Sequence, residues 1–167
     1  MNQSISFCPW EHQCGCQCPD YDQDFDQAIA KELNAPLTLE QIQHTNITWF
    51  ASLEYDGDHF IKDLGITTQK GLYIIWNKDD YCPNHQLFQM TALYVGKGDI
   101  LNRMVYHVKT KDFGENINLY ATYLEFPNRI AKYVEQLLLD LYDFPMNTFE
   151  NYGEKPLYAF FTQCEVD

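Results

Sequence analysis

Arg103 and His107 stand four residues apart in ILNRMVYHVKT, a stretch whose Leu101, Met104, Val105 and Val108 recur at helical spacing. Both therefore lie on one flank of the same helix. A permanently charged guanidinium can grip a phosphate through two parallel donors. An imidazole one turn further on can bond the same phosphate or an attacking water. Lys97, just ahead of this helix, adds a second positive charge. Glu135 falls in a second helical stretch, NRIAKYVEQLLLDLY, with Ala131, Leu138, Leu139 and Tyr142 as same-side neighbours. That places it at the rim of an apolar stripe rather than in open solvent. Hydrolysing a phosphodiester needs a nucleophilic water, neutralised charge on the phosphate oxygens and help for the leaving oxygen. One carboxylate with waters and substrate oxygens suits Mg²⁺, or Mn²⁺ in its place, because such an ion keeps much of its hydration. Each residue taken singly has a plainer role: a solvated helix Glu, an Arg paired with Asp99 or Glu115, an incidental His.

A second group with ligand chemistry opens the chain. Cys8, Cys14, Cys16 and Cys18 lie within the first 18 residues, with His12 among them. On an extended stretch positions 14, 16 and 18 share one face and can offer three thiolates to one tetrahedral Zn²⁺, with Cys82 or His12 as a fourth ligand. The spacing matches no standard zinc-finger pattern, and a thiol-rich terminus without a metal is the other reading. Met1 to Ser6 carry neither a basic nor an apolar leader pattern, so reduced thiols and a cytoplasmic setting are expected.

The chain has 167 residues, 46% of them hydrophobic and 16% aromatic, which excludes general disorder and allows a sizeable core. No apolar run approaches the roughly 20 residues of a membrane helix, so no membrane partner is expected. Eleven Lys and Arg face 24 Asp and Glu, a formal charge of −13 that by itself opposes a polyanionic partner. The charge is unevenly placed. Through residue 60 there are ten acids and the single base Lys31, whereas Lys97, Arg103, Lys109 and Lys111 crowd into positions 97–111 with only Asp99 among them.

The elements that must position these residues are legible in the pattern. Acid-led residues 24–34 predict a helix, and Thr38-Leu39-Glu40-Gln41 resembles the capped start of another. NITWFASLE (46–54), GLYIIW (71–76), ALYVGK (92–97), NINLYATYLEF (116–126) and PLYAFFT (156–162) read as strands. Residues 77–91 read as a polar excursion between two of them, while 100–110 and 128–142 read as helices. The order predicts an α+β fold, a small antiparallel or mixed β-sheet flanked by helices. Its core is placed at 69–167, and an acidic, Cys-rich extension over 1–68 packs on it.

Gly71-Leu72-Tyr73, Tyr94-Val95-Gly96, Arg103 with His107, Glu135 and Asn147 occur in that order, the two tripeptides on the first two strands of the rear section. This set resembles the GIY-YIG nuclease pattern over about residues 70–148. Tyr73 and Tyr94 are twenty-one positions apart, so the hairpin carries an insertion, as in restriction-enzyme-like members of the family. The resemblance implies a one-metal DNA endonuclease with Glu135 as the protein ligand and Arg103 stabilising the transition state. It also implies Tyr73 as general base and Tyr94 as its partner or water-orienting group, and Lys97 matches a lysine common in the excision-repair branch. A phenol titrates near 10, so Tyr73 would have to be poised by the metal and nearby cations. Asn147 would fix the end of the Glu135 helix, or serve as a simple cap. Gly71 and Gly96 are expected to admit close backbone approach. Two other outcomes are compatible with the sequence. One is a catalytically silent or DNA-mimicking module whose acidic front section engages a protein partner; the other is an enzyme acting on RNA.

Overall fold

The computed structural model describes residues 23–33, 37–52, 70–114 and 118–166. Its centre is a five-stranded antiparallel sheet of order β1-β4-β2-β3-β7, made of β1 (Ile47–Ser52), β2 (Lys70–Cys82), β3 (Leu87–Asp99), β4 (Asn118–Glu125) and β7 (Tyr158–Thr162). β5 (Tyr142–Asp143) and β6 (Lys155–Pro156) form a separate two-stranded parallel pair. The helices are α1 (Gln23–Leu33), α2 (Leu39–His44), α3 (Ile100–Thr110), α4 (Asn128–Leu141) and the short α5 (Gln163–Val166). The fold is thus mixed α+β with an antiparallel sheet, as the pattern predicts.

Residues 71–76 of β2 are buried without a break because both faces are covered there and both edges are paired. Leu72, Ile74 and Trp76 join a core with Phe25 and Ile29 of α1, Leu39 and Ile42 of α2, and Val134 and Leu138 of α4. The buried Trp76 indole donates to Thr122 Oγ1 at 2.8 Å. Tyr73 and Ile75 face the other way, into a smaller cluster with Ile100 and Met104 of α3 and with Leu119 and Ala121 of β4. The front helices are tied in by polar contacts as well. Thr38 and Gln41 form the capping box expected from the sequence, and the first amide of α2, Leu39 N–H, donates to Asp26 Oδ1 of α1 at 2.7 Å.

The polar stretch 77–91 is not an excursion between strands. β2 and β3 continue through it as a hairpin to Cys82 and Leu87, so only residues 83–86 turn. The polar residues stay extended because they have partners. Lys78 Nζ lies 4.5 Å from the Phe88 ring centre and 5.6 Å from that of Tyr120, Tyr81 packs on Phe88, Thr91 bonds Asp79, and β7 pairs with Leu87 through Thr91.

One slip in this hairpin decides what faces where. Ile75 pairs with Tyr94 but Trp76 pairs with Ala92, so Leu93 is an extra residue in β3, a β-bulge. Before it, Met90 and Ala92 face the α1–α4 core; after it, Val95 does. Leu93 and Tyr94 both lie on the α3 side, with Tyr73. Without the extra residue the two-residue alternation would turn Tyr94 toward the opposite face.

Among the described residues no helix is long and apolar enough to cross a membrane. Because Phe25 is fully buried in the main core, Phe25→Ala is expected to cost about 3–5 kcal/mol of unfolding free energy. Urea denaturation of the whole chain measures this. A loss below about 1 kcal/mol would mean that α1 contributes little to the common core.

Candidate active site

Gly96 pairs directly with Tyr73 across the hairpin. A Cβ at Gly96 would overlap the Tyr73 hydroxyl and ring and the edge of Tyr94. The missing side chain therefore lets the Tyr73 ring lie flat across β3 toward α3. There its hydroxyl is 2.7 Å from Nε2 of His107. Tyr94 completes a cluster of three rings, its centre 4.5 Å from that of His107 and 6.1 Å from that of Tyr73. Gly71 answers a different need, since a Cβ there would overlap the Leu124 carbonyl of β4. Gly71 thus permits the close backbone approach expected of it, whereas Gly96 makes room for two tyrosine side chains instead of a backbone.

α3 begins immediately after β3 and is capped by Asp99, whose carboxylate accepts from Asn102 N–H at 3.1 Å. Asp99, one of the two acids that the sequence offers as a partner for Arg103, serves as this cap. Arg103 is exposed, and its charge lowers the proton affinity of Tyr73, Tyr94 and His107 alike. His107, four residues on, is buried at 3% exposure. Burial, reinforced by the charges of Lys111 and Arg103, holds its imidazole down at about 4, so it is neutral at neutral pH. Its Nδ1 is buried without a hydrogen-bond partner. Burial likewise pushes the Tyr73 phenol far above the ordinary phenol range, with the Tyr94 phenol and the Glu135 carboxylate adding to the effect. Tyr73 is therefore protonated in the resting protein.

Glu135 projects from the middle of α4, half-buried at the rim that its neighbours Ala131, Leu138 and Leu139 define. Its Oε2 is 2.7 Å from Nζ of Lys97. The bulge accounts for the meeting. Lys97 follows Val95 by two residues and so leaves β3 on the side of α4, while Tyr94 and Gly96 leave it on the side of α3.

Asn147, expected to fix or cap the end of the Glu135 helix, has another task. α4 ends at Leu141, and its last turn is closed by the Tyr142 amide on the Leu138 carbonyl. Asn147 instead grips β3. Its Oδ1 accepts from Val95 N–H at 3.0 Å and its Nδ2 donates to the Val95 carbonyl at 2.9 Å, while Met146 N–H donates to the Leu93 carbonyl. β7 pairs with β3 only as far as Thr91, so the edge beyond it has unpaired groups that this loop satisfies.

Lys111, read from sequence only as part of a basic stretch, adjoins the Tyr73–Tyr94–His107 cluster. Its Nζ lies 4.4 Å from the Tyr94 ring centre and donates to the Met146 carbonyl at 3.1 Å. The available signal was its place one further helical turn along the Arg103–His107 flank. Cys8, Cys14, Cys16 and Cys18 lie outside the described residues. Among the described residues no three of His, Cys, Asp and Glu group as metal ligands, and Cys82 Sγ contacts His85 Nδ1 at 3.1 Å on the hairpin.

The neutral His107 has a measurable consequence. Its folded value of about 4 lies below the ordinary 6.5, so between those values the unfolded chain binds the extra proton. The stability this group contributes is full above pH 6.5 and is lost as pH falls toward 4. Denaturation midpoints should therefore fall more steeply from pH 7 to pH 5 in the parent protein than in His107→Gln. Equal slopes would contradict the assignment.

Compared with known proteins, the chain matches no family model, no curated protein and no solved structure.

Proposed function

We propose that this protein is a divalent-metal-dependent endonuclease of the GIY-YIG class that hydrolyses DNA phosphodiester bonds. The observation that supports this reading best is the convergence of six residues from four separate elements. Tyr73 of β2, Tyr94 and Lys97 of β3, Arg103 and His107 of α3 and Glu135 of α4 are linked by hydrogen bond, ion pair, ring contact or direct electrostatic influence. Packing alone does not call for an exposed arginine, a neutral buried imidazole and a half-buried carboxylate beside two phenols.

The donor set fits Mg²⁺ or Mn²⁺. Glu135 offers hard oxygen atoms at a position that already accommodates a cation, the Lys97 ammonium. When bound, the metal would neutralise charge on the scissile phosphate and lower the proton affinity of groups beside it. The protein's own groups account for the rest. Arg103 has the geometry and exposure to hold two non-bridging phosphate oxygens. Neutral His107 can accept the Tyr73 proton at Nε2 in the Nδ1-protonated tautomer, leaving the phenol oxygen as acceptor for a proton of the attacking water. Tyr73 thus acts as a relay and need not stand as a phenolate, and the negative charge of the incoming phosphate offsets the burial and the Lys111 and Arg103 charges that otherwise oppose a proton on His107. Tyr94, held under the Lys111 ammonium, orients the water or the phosphate. Lys111 and Asn147 position Tyr94 and its strand. DNA contact is local on so acidic a chain, and any binding outside the site is weak and salt-sensitive.

Removing the charge of the metal ligand with Glu135→Gln should abolish Mg²⁺-dependent cleavage of plasmid or branched DNA. Arg103→Ala should slow it by about 10²–10³-fold, the usual loss when a donor to developing charge is deleted. Both variants should keep the parent's melting behaviour. Undiminished cleavage by Glu135→Gln would show that the site is misassigned.

A further inference from the structure

The direct contact between Lys97 and Glu135 raises a question that a site of single-purpose residues would not. A carboxylate that is to hold a divalent cation already faces an ammonium 2.7 Å from Oε2, and the two side chains are only 29% and 18% exposed. Both cannot keep their full hold on one carboxylate, because they repel each other at that distance and water screens a half-buried pair incompletely. The lysine is the partner that can move. Its ammonium sits at the end of a four-carbon stem, two residues before the end of β3, whereas Glu135 is fixed in the middle of a fourteen-residue helix. The residue after Lys97 is Gly98, whose φ of 116° turns the chain toward the Arg103 helix.

We infer that Lys97 is a resident counter-ion of Glu135 that a divalent metal displaces, so that metal binding delivers the lysine ammonium to the substrate phosphate. The inference rests on the endonuclease reading and adds a coupling to it: the site becomes cationic toward DNA when the metal arrives. In the resting protein the Lys97 and Glu135 charges offset each other. With the metal on Glu135, the ammonium and Arg103 both face the anion. This gives an acidic protein a way to withhold one of its few cations from phosphate until metal is bound.

The test is direct binding of Mn²⁺ alone to the full chain, followed by electron paramagnetic resonance. The inference predicts that Lys97→Met binds Mn²⁺ roughly fivefold more tightly than the parent, the worth of a partly exposed ion pair. Lys97→Arg, which keeps the counter-ion, should bind no more tightly than the parent. Glu135→Gln should lose the site in either background. At saturating Mn²⁺, Lys97→Met should also cleave more slowly, because the ammonium no longer reaches the phosphate. Unchanged or weaker Mn²⁺ binding in a folded Lys97→Met protein would overturn the inference while leaving the endonuclease reading in place. Mn²⁺ binding that ignores Glu135→Gln would overturn both. Tighter binding with undiminished turnover would overturn the delivery of Lys97 to the substrate.

Discussion

The pairing of Tyr73 with Gly96, in the register set by the bulge at Leu93, is the constraint on which the site depends. A tyrosine ring can cross to α3 only where the opposing strand has no side chain, and the slip aligns Tyr94 on the same side. The same slip sends Lys97 to the other side, toward α4, where Glu135 meets it. One inserted residue thus separates the two halves of the site, a cluster of phenols and imidazole facing α3 and an ion pair facing α4. Asn147 and Met146 then hold the bulged edge in place, where β7 no longer pairs. Bulges recur beside active sites because they re-aim side chains without disturbing the rest of a sheet.

Burial governs the protons of this site more than charge does. It is the largest cause of the displaced titration of Tyr73, Tyr94 and His107, ahead of every neighbouring ion. The result is a set of neutral groups already in hydrogen-bonding contact, ringed by cations at its rim. That arrangement suits proton relay better than a standing base. It also qualifies the −13 formal charge. Net charge describes the field at a distance, whereas an anion bound at the proposed site would meet Arg103, Lys97 and Lys111 at close range, where screening is least.

Much of the fold was legible because local signals agree. The capping box at Thr38, the apolar run of β2 and the stripes of α3 and α4 each state their element within a dozen residues. The candidate site residues could be named from sequence because their types and order resemble a known set. The details that make them a site were not. A bulge has no local signature in ALYVGK, since it is a fact about two strands. The hairpin through 77–91 looked like a loop because its polar residues find partners only across the sheet. Asn147 read as a helix cap because proximity in sequence is all that a single chain offers, whereas its partner Val95 is 52 residues away. Lys97 and Glu135 could be named separately, but their contact follows from which face each strand residue takes.

The central claim is that these groups cut DNA by metal-assisted hydrolysis. The most direct measurement is a cleavage panel with the intact protein over linear, supercoiled, branched and single-stranded DNA, with Mg²⁺ or Mn²⁺ and with chelator. The account predicts cleavage of at least one of these substrates, present with either metal and absent with chelator. Folded protein that cuts none of them under any condition would contradict it.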